Sequence, residues 1–400
     1  MNEIIAPHAL IIGGGIAGPL AGLGLARIGV SSTIYEAYPA GDAGGAWMTV
    51  AVNGLAAMRE LGVHAAAQAA GFPSEIIELY SGTGKRLGAV PIGGRLDDGT
   101  VTHTVKRTDL CRCLADAARA QGIAVEHGKR LVDLDQDASG VTARFADGTT
   151  ARGSVLIAAD GVHSRVRGLI DPAAPTARYT GMGNLGGFAP GAAAALTRGD
   201  AYRMVFGKRA FFGYVAAPGG DVWWFANPPS ERELAREDLA ATDWRARLIY
   251  LFEDDRGPML DLVRATPGKL TCANQYDVAR VPTWQRGRVV LIGDAAHAAS
   301  PSSGQGVSMA AEDAVALAAC ITAHGPSTAA LAAFVAARRA RTERVVAHGR
   351  RFAATKTAGP VGRVIRDLVL PHVFKRQEKS SGRESMAWLY QHREPAAQRA

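Results

Sequence analysis

The sequence predicts an α/β fold: a parallel sheet of strand–helix–strand units, interrupted by an inserted β-sheet domain and followed by C-terminal helices. Three observations carry this. Short apolar runs at His8–Ile12, Val155–Ala159 and Val289–Ile292 each end in a turn of small or polar residues, the pattern of buried strands. From Tyr179 to about Asn227 the chain changes character, and Phe206, Phe211, Phe212, Tyr214, Trp223, Trp224 and Phe225 concentrate there. From 326 to 395 the pattern is helical, with breaks expected at Gly359–Pro360 and at Pro371. With 400 residues, 48% of them hydrophobic, the chain can bury the core of two domains. The expected division is 1–75, 102–170 and 281–345 for the parallel-sheet domain, 76–101 and 171–280 for the insertion, and 346–400 for a helical end.

Taken in order, His8–Ile12 is a strand, and Gly13-Gly14-Gly15-Ile16-Ala17-Gly18 follows with the spacing Gly-x-Gly-x-x-Gly. Leu20, Leu23, Leu25 and Ile28 continue as a helix, and Ser32–Glu36 is the next strand, ending in an acid. In such a unit the first glycine permits the tight turn, the second admits a pyrophosphate and the third lets helix and strand pack closely. The acid is placed to accept from a ribose hydroxyl. An adenine dinucleotide is therefore expected at Gly13, Gly15, Ile16, Ala17, Gly18 and Glu36. A helix is expected over 53–61 and a β-hairpin excursion over 75–105. Arg107 then stands at a helix start that Thr108 or Asp109 would cap, poised to reach a ligand. Strands are expected over 125–134 and 141–145. Asp160-Gly161-Val162-His163-Ser164-Arg165-Val166-Arg167 closes the strand at 155. Phe211–Ala217 and Val222–Ala226 read as a hairpin around Pro218-Gly219-Gly220, 231–265 as helical and 271–280 as a strand. Late in the chain, Val289–Ile292 runs into Gly293-Asp294, and Pro301-Ser302-Ser303-Gly304-Gln305-Gly306 opens a long helix. A Gly-rich turn at a helix start presents unpaired N–H groups and the positive end of the dipole, which suits an anion or a ring that becomes negative.

Other classes are disfavoured. The balance of 45 basic against 37 acidic residues leaves +8, densest around Arg338-Arg339, Arg341, Arg350-Arg351 and Lys375-Arg376. This reads as a solvated helix face, since no groove-reading or base-stacking motif accompanies it, and no nucleic acid is expected. Cys111, Cys113, Cys272 and Cys320 lack metal or redox spacing, so reduced structural thiols, a cytoplasmic location and no metal are expected. No uninterrupted 18-residue apolar run predicts a membrane span.

Three motifs now stand in order: Gly13-x-Gly15-x-x-Gly18 with Glu36, Asp160-Gly161-x-x-Ser164-x-x-Arg167, and Gly293-Asp294 with Pro301-x-x-Gly304-Gln305-Gly306. Together they resemble the single-component FAD-dependent monooxygenases of the para-hydroxybenzoate hydroxylase type, over roughly 8–345. The resemblance implies a Rossmann-like FAD domain, a substrate domain whose sheet roofs the flavin, NADPH or NADH as reductant and O2 as co-substrate. It puts Arg107 and Asp160 at the FAD, the Leu131 amide at the adenine and Asp294 at the ribityl chain. Gly304, Gln305, Gly306 and Val307 fall beside the pyrimidine edge of the isoalloxazine. The implied reaction transfers one oxygen from a C4a-hydroperoxide of the flavin, hydroxylating or epoxidising the substrate. Trp47 and Met48 are expected to face the flavin from the family position of their loop. Phe212, Tyr214, Trp224 and Pro301 are the other candidate substrate contacts. The aromatic middle and the lack of an obvious carboxylate-binding cluster point to a bulky hydrophobic substrate, aromatic or polyketide-like, handled by a monomer or homodimer. His297 is expected to be packed near the cofactor, and His163 and Ser164 to stabilise their turn. A flavin-dependent halogenase is discounted, because Trp223 and Trp224 are adjacent rather than spaced as Trp-x-Trp. The remaining alternatives are a flavin-linked reductase or dehydrogenase, and a flavin-containing protein that sequesters a ligand without turnover.

Overall fold

A computed structural model describes residues 7–41, 46–196, 201–356, 359–379 and 382–392. Its central sheet sets His8–Ile12 between Ser31–Glu36 and Val155–Ala158, with Ala124–His127 and Val289–Leu291 outside them, all parallel, and Gln285–Arg286 antiparallel at one edge. These strands read as continuous apolar runs because both faces are covered; Val155–Ala158 is buried at every position. Ala17–Arg27 packs on the sheet, and an antiparallel meander (Leu131–Gln136, Val141–Phe145, Thr150–Gly153) shares its core through Leu131, Val141 and Phe145.

Gly306–His324 is the buried axis of this half. Glycines set its spacing: a Cβ on Gly24 would lie 3.0 Å from Ala314 O, and one on Gly54 of the helix Val52–Glu60 would lie 2.5 Å from Ser308 Oγ. By length and composition alone this helix is apolar enough to cross a membrane, but 72% of its apolar window is buried inside the fold.

The second large sheet has seven strands in the order Ala273–Asp277, Arg178–Ala189, Val222–Asn227, Phe211–Ala216, Tyr202–Phe206, Ile76–Ser81 and Arg86–Pro91. The early excursion thus joins the aromatic segment, Tyr202–Phe206 pairing in parallel with Ile76–Ser81. The helical stretch expected at 231–265 resolves into Arg236–Ala241, Trp244–Phe252 and Met259–Ala265. The last two share a core with one face of the sheet.

The C-terminal helices are Thr328–Lys356, Pro360–Lys379 and Gly382–Tyr390. Pro360 starts a helix, where its missing N–H costs little, but Pro371 lies inside Pro360–Lys379 and does not end it. The expectation of a solvated basic face fails at Arg338, which is fully buried. Its guanidinium donates to Glu312 and Asp313 (2.8 Å each), while Arg341 also donates to Glu312 (2.6 and 2.8 Å).

Candidate cofactor and substrate cleft

The carboxyl ends of three adjacent parallel strands bring the three motifs together. Ile12 and Ala158 are register partners, as are Ala158 and Leu291, so the turns after them share one edge. Gly13 takes φ +108°, and a Cβ there would lie 2.4 Å from Ala159 O. One on Gly18 would lie 1.9 Å from Gly13 O, so the helix start presses on the turn that precedes it. One on Gly293 (φ +55°) would meet the Ala17 methyl at 3.0 Å, which joins the third motif to the first. Around Gly15 and Gly306, by contrast, added Cβ atoms would meet nothing within 4 Å, so both backbones face open space. A parallel sheet binds its ligands at this edge.

Glu36 accepts from the Gly14 and Tyr38 N–H groups (2.6 and 2.9 Å), which fixes the carboxylate over the glycine turn. Leu131 is buried at the start of its strand, near where the Lys129 N–H donates to Glu36 O (2.8 Å). Arg107 opens the helix Arg107–Ala120; the N-cap is Lys106, not Thr108 or Asp109, and it makes no side-chain cap bond. Asp109 instead sits in the first turn, favourable to the dipole, and pairs with Arg112 (2.8 Å). Asp160 works inside its own motif. It accepts from Ser164 Oγ (2.6 Å) and the Val166 N–H (3.1 Å), and burial raises its carboxyl above the ordinary range. Ser164 caps the helix Arg165–Ile170 by accepting from the Arg167 N–H, and Arg167 donates to Ala295 O (3.0 Å), tying this motif to the third.

Asp294 behaves differently from the other acids. Its side chain is exposed and makes no hydrogen bond among the described residues. Desolvation raises its carboxyl, opposed by His297 and Arg107, which places Arg107 within electrostatic reach from nearly half the sequence away. A free carboxylate beside a glycine cradle fits the hydroxyl-rich chain of a dinucleotide. Beyond it, Pro301–Ser303 forms a 3-10 turn with Pro301 exposed, Gly304 is left-handed (φ +61°), and the helix starts at Gly306 rather than within the proline turn. Val307 is buried in the helix's first turn. Gln305 is fully buried and accepts from Asn53 Nδ2 (2.9 Å), while its own Nε2 has no hydrogen-bond partner.

Behind this turn lies a network absent from the sequence reading. Asn53 donates to both Gln305 and Glu312 (2.9 and 2.7 Å), and Asp313 accepts from the Gly293 N–H (2.9 Å). Asp313 also pairs with His297 Nε2 (2.6 Å), leaving His297 a packed, positioning residue. Desolvation of Asp313 is outweighed by His297 and Arg338, which hold its carboxyl down to about 2. The sequence signal for this cluster is two adjacent acids, Glu312 and Asp313, on a helix with no other acid and no lysine or arginine.

The inserted sheet faces the turns with alternate residues, and the candidate substrate contacts need correction here. Trp47 Nε1 donates to Trp224 O (3.1 Å), and a Cβ on Gly186 would lie 2.8 Å from that of Ala46, so this loop abuts the sheet. The face it meets carries Trp223, Phe225 and Tyr202; the Trp47 ring lies 5.3 Å from Tyr202 and 5.6 Å from Phe225. Phe212, Tyr214 and Trp224 point the other way. Trp224 is fully buried, stacks on Phe212 at 5.2 Å and donates to Thr266 Oγ1 (2.7 Å), within the core shared with the helices Trp244–Phe252 and Met259–Ala265. Those three residues are core, one residue out of phase with the cleft face. Trp47 and Met48 also divide by alternation: Trp47 meets the sheet, whereas Met48 packs with Ile16, Ala17 and Val307 on the motif side.

Comparison with known proteins identifies the family. Residues 7–348 match the family model described as FAD binding domain. The chain is 30% identical over 340 residues to aurachin C monooxygenase/isomerase of Stigmatella aurantiaca, covering 84% of this chain and 86% of that one. It is likewise 30% identical over 354 residues to the FAD-dependent urate hydroxylase of Klebsiella pneumoniae, covering 86% and 88%. The crystal structure of Klebsiella pneumoniae HpxO complexed with FAD and uric acid superposes with a TM-score of 0.84 at 27% identity, covering 97% of this chain and 99% of that one. The chain belongs to the FAD-dependent aromatic hydroxylases and monooxygenases of class A, and is an FAD-dependent monooxygenase.

Proposed function

We propose that the enzyme uses NADPH or NADH and O2 to insert one oxygen atom into an aromatic or polyketide-like small molecule, seated between the Gly304–Val307 turn and the cleft face of the inserted sheet. The observation that carries this is the apposition of the two: an aromatic wall of Trp47, Tyr202, Trp223 and Phe225 on the same side as a left-handed glycine turn and a helix start. Apolar walls with few polar groups suit such ligands. In this reading Gly13, Gly15, Ile16, Ala17 and Gly18 hold the pyrophosphate, Glu36 the ribose and the Leu131 amide the adenine. Arg107 and Asp160 support the FAD, and Asp294 accepts from the ribityl hydroxyls. Bound FAD would supply hydride acceptance and oxygen activation. The helix start at Gly306 would stabilise negative charge on the reduced ring by about 1 kcal/mol, and the aromatic wall would keep water from the reacting atoms.

The test is a product screen by mass spectrometry with FAD-loaded enzyme, NADPH or NADH, O2 and a panel of phenols, anthraquinones and indoles. The expected result is a yellow protein and products heavier by one oxygen. Reduced-pyridine consumption with products changed only by hydrogen would count against oxygen insertion.

A further inference from the structure

The cleft face of the inserted sheet carries cations that nothing above uses. Lys356 ends the helix Thr328–Lys356 and reaches the sheet at Phe211, Phe225 and Asn227. Its Nζ lies 4.1 Å from the Phe211 ring centroid and 5.4 Å from that of Phe225, and it donates to Asn227 Oδ1 (2.9 Å). Register puts these three residues on one face: Phe211 pairs with Asn227, and Phe225 is two residues from it. That is the face that meets Trp47. The helix also touches the candidate flavin turn, since a Cβ on Gly349, two helical turns before Lys356, would lie 2.8 Å from Ser303 Cβ. At the far end of the face, Lys106 Nζ lies 4.8 Å from the Phe188 centroid and 5.2 Å from that of Trp223.

The charge here is unbalanced. On the same helix, buried Arg338 and part-buried Arg341 are paired with Glu312 and Asp313. Neither Lys356 nor Lys106 is paired with a carboxylate among the described residues. Lys356 uses one of three ammonium protons on an amide oxygen and has aromatic faces around the rest. Desolvation alone pushes its amine down to about 7. An ammonium held among rings without a counter-ion is costly, and it is the arrangement an incoming anion would complete.

We propose that Lys356, held in place by its bond to Asn227 Oδ1, anchors an anionic oxygen of the substrate, a carboxylate or an ionised phenol or enol on an aromatic ring, and so determines specificity. This rests on the function proposed above and sharpens its substrate class: the ligand is an aromatic anion rather than a purely hydrophobic molecule. Lys356 is a binding residue in this reading and transfers nothing to the oxygen.

The experiment titrates FAD-loaded enzyme with three matched probe pairs and reads the flavin difference spectrum. The pairs are benzoate and benzamide, salicylate and salicylamide, and 4-nitrophenol above its pKa and 4-nitroanisole. Wild type should bind the anion of at least one pair about tenfold more tightly than its neutral partner. K356M should lose that preference while keeping its FAD and its melting temperature, and K356R should retain part of it. No anion preference in any pair, or the same preference in K356M, overturns the proposal. A lower melting temperature in K356M with the preference intact shows that Lys356 only pins the helix to the sheet. Failure to bind FAD, visible before any probe is added, would instead count against the proposed function.

Discussion

Replacing Arg338 with Met tests whether the buried network holds the flavin turn. Methionine approximates the length of the arginine stem but offers no donors. Arg338 is fully buried and donates to Asp313 Oδ1 and Glu312 Oε2, both at 2.8 Å. Glu312 would keep two bonds from Arg341 and one from Asn53. Asp313 would keep only His297 and the Gly293 N–H. The loss therefore falls mainly on Asp313, a buried carboxylate deprived of its arginine. Breaking a buried pair by removing one partner costs about 3–5 kcal/mol, and the two surviving partners place this case near 3 kcal/mol. Urea denaturation of FAD-loaded wild type, R338M, D313N and R338M/D313N measures it. The double mutant should recover part of the loss, with a coupling of about 1.5 kcal/mol or more, because the asparagine leaves no orphan charge. A loss below about 1 kcal/mol in R338M, or additive single losses, would refute this reasoning.

Four further outcomes follow. Gly18→Ala, whose Cβ would sit 1.9 Å from Gly13 O, should sharply reduce FAD retention, read by the flavin-to-protein absorbance ratio. Asp294→Ala should weaken FAD binding about tenfold or more by equilibrium titration, with little change in apoprotein melting, since Asp294 bonds to no described residue. Trp224→Ala should cost about 3–5 kcal/mol of stability in chemical denaturation, whereas Phe225→Ala, at the one part-buried position of the strand and on the opposite face, should cost less and alter ligand binding; the reverse pattern would invert the face assignment. The Asp313 carboxyl is lowered from 3.8 to about 2 in the fold. Its contribution should therefore be fully present above pH 4 or so and be lost as pH falls towards about 2, and D313N should flatten that limb of an acid-stability curve.

The cofactor motifs were legible because their constraints are local. Gly13, Gly18, Gly293 and Gly304 are required by a positive φ or by a Cβ with no room, and such requirements are written in the residue itself. The buried parallel strands were legible for the same reason, as short apolar runs ending in turns. What the tertiary structure alone decided was direction and pairing. Along Val222–Asn227 both faces carry aromatic residues, so Trp223 and Trp224 look alike and no polar alternation shows which one faces the cleft; the register against Phe211–Ala216 and the covering helices decide it. Likewise, arginines at 338 and 341 look like any solvated basic face until Glu312 and Asp313 are brought beside them from another helix. Lys356 is a single lysine at a helix end in the sequence, and a cation on the cleft wall only in the fold. Sequence by itself determined where the chain can turn tightly and which stretches must be buried, because backbone geometry and hydrophobicity are properties of short segments. Which side chains meet across 40 to 260 positions of sequence was decided by packing, as at Asn53 and Glu312, because no short segment contains both partners.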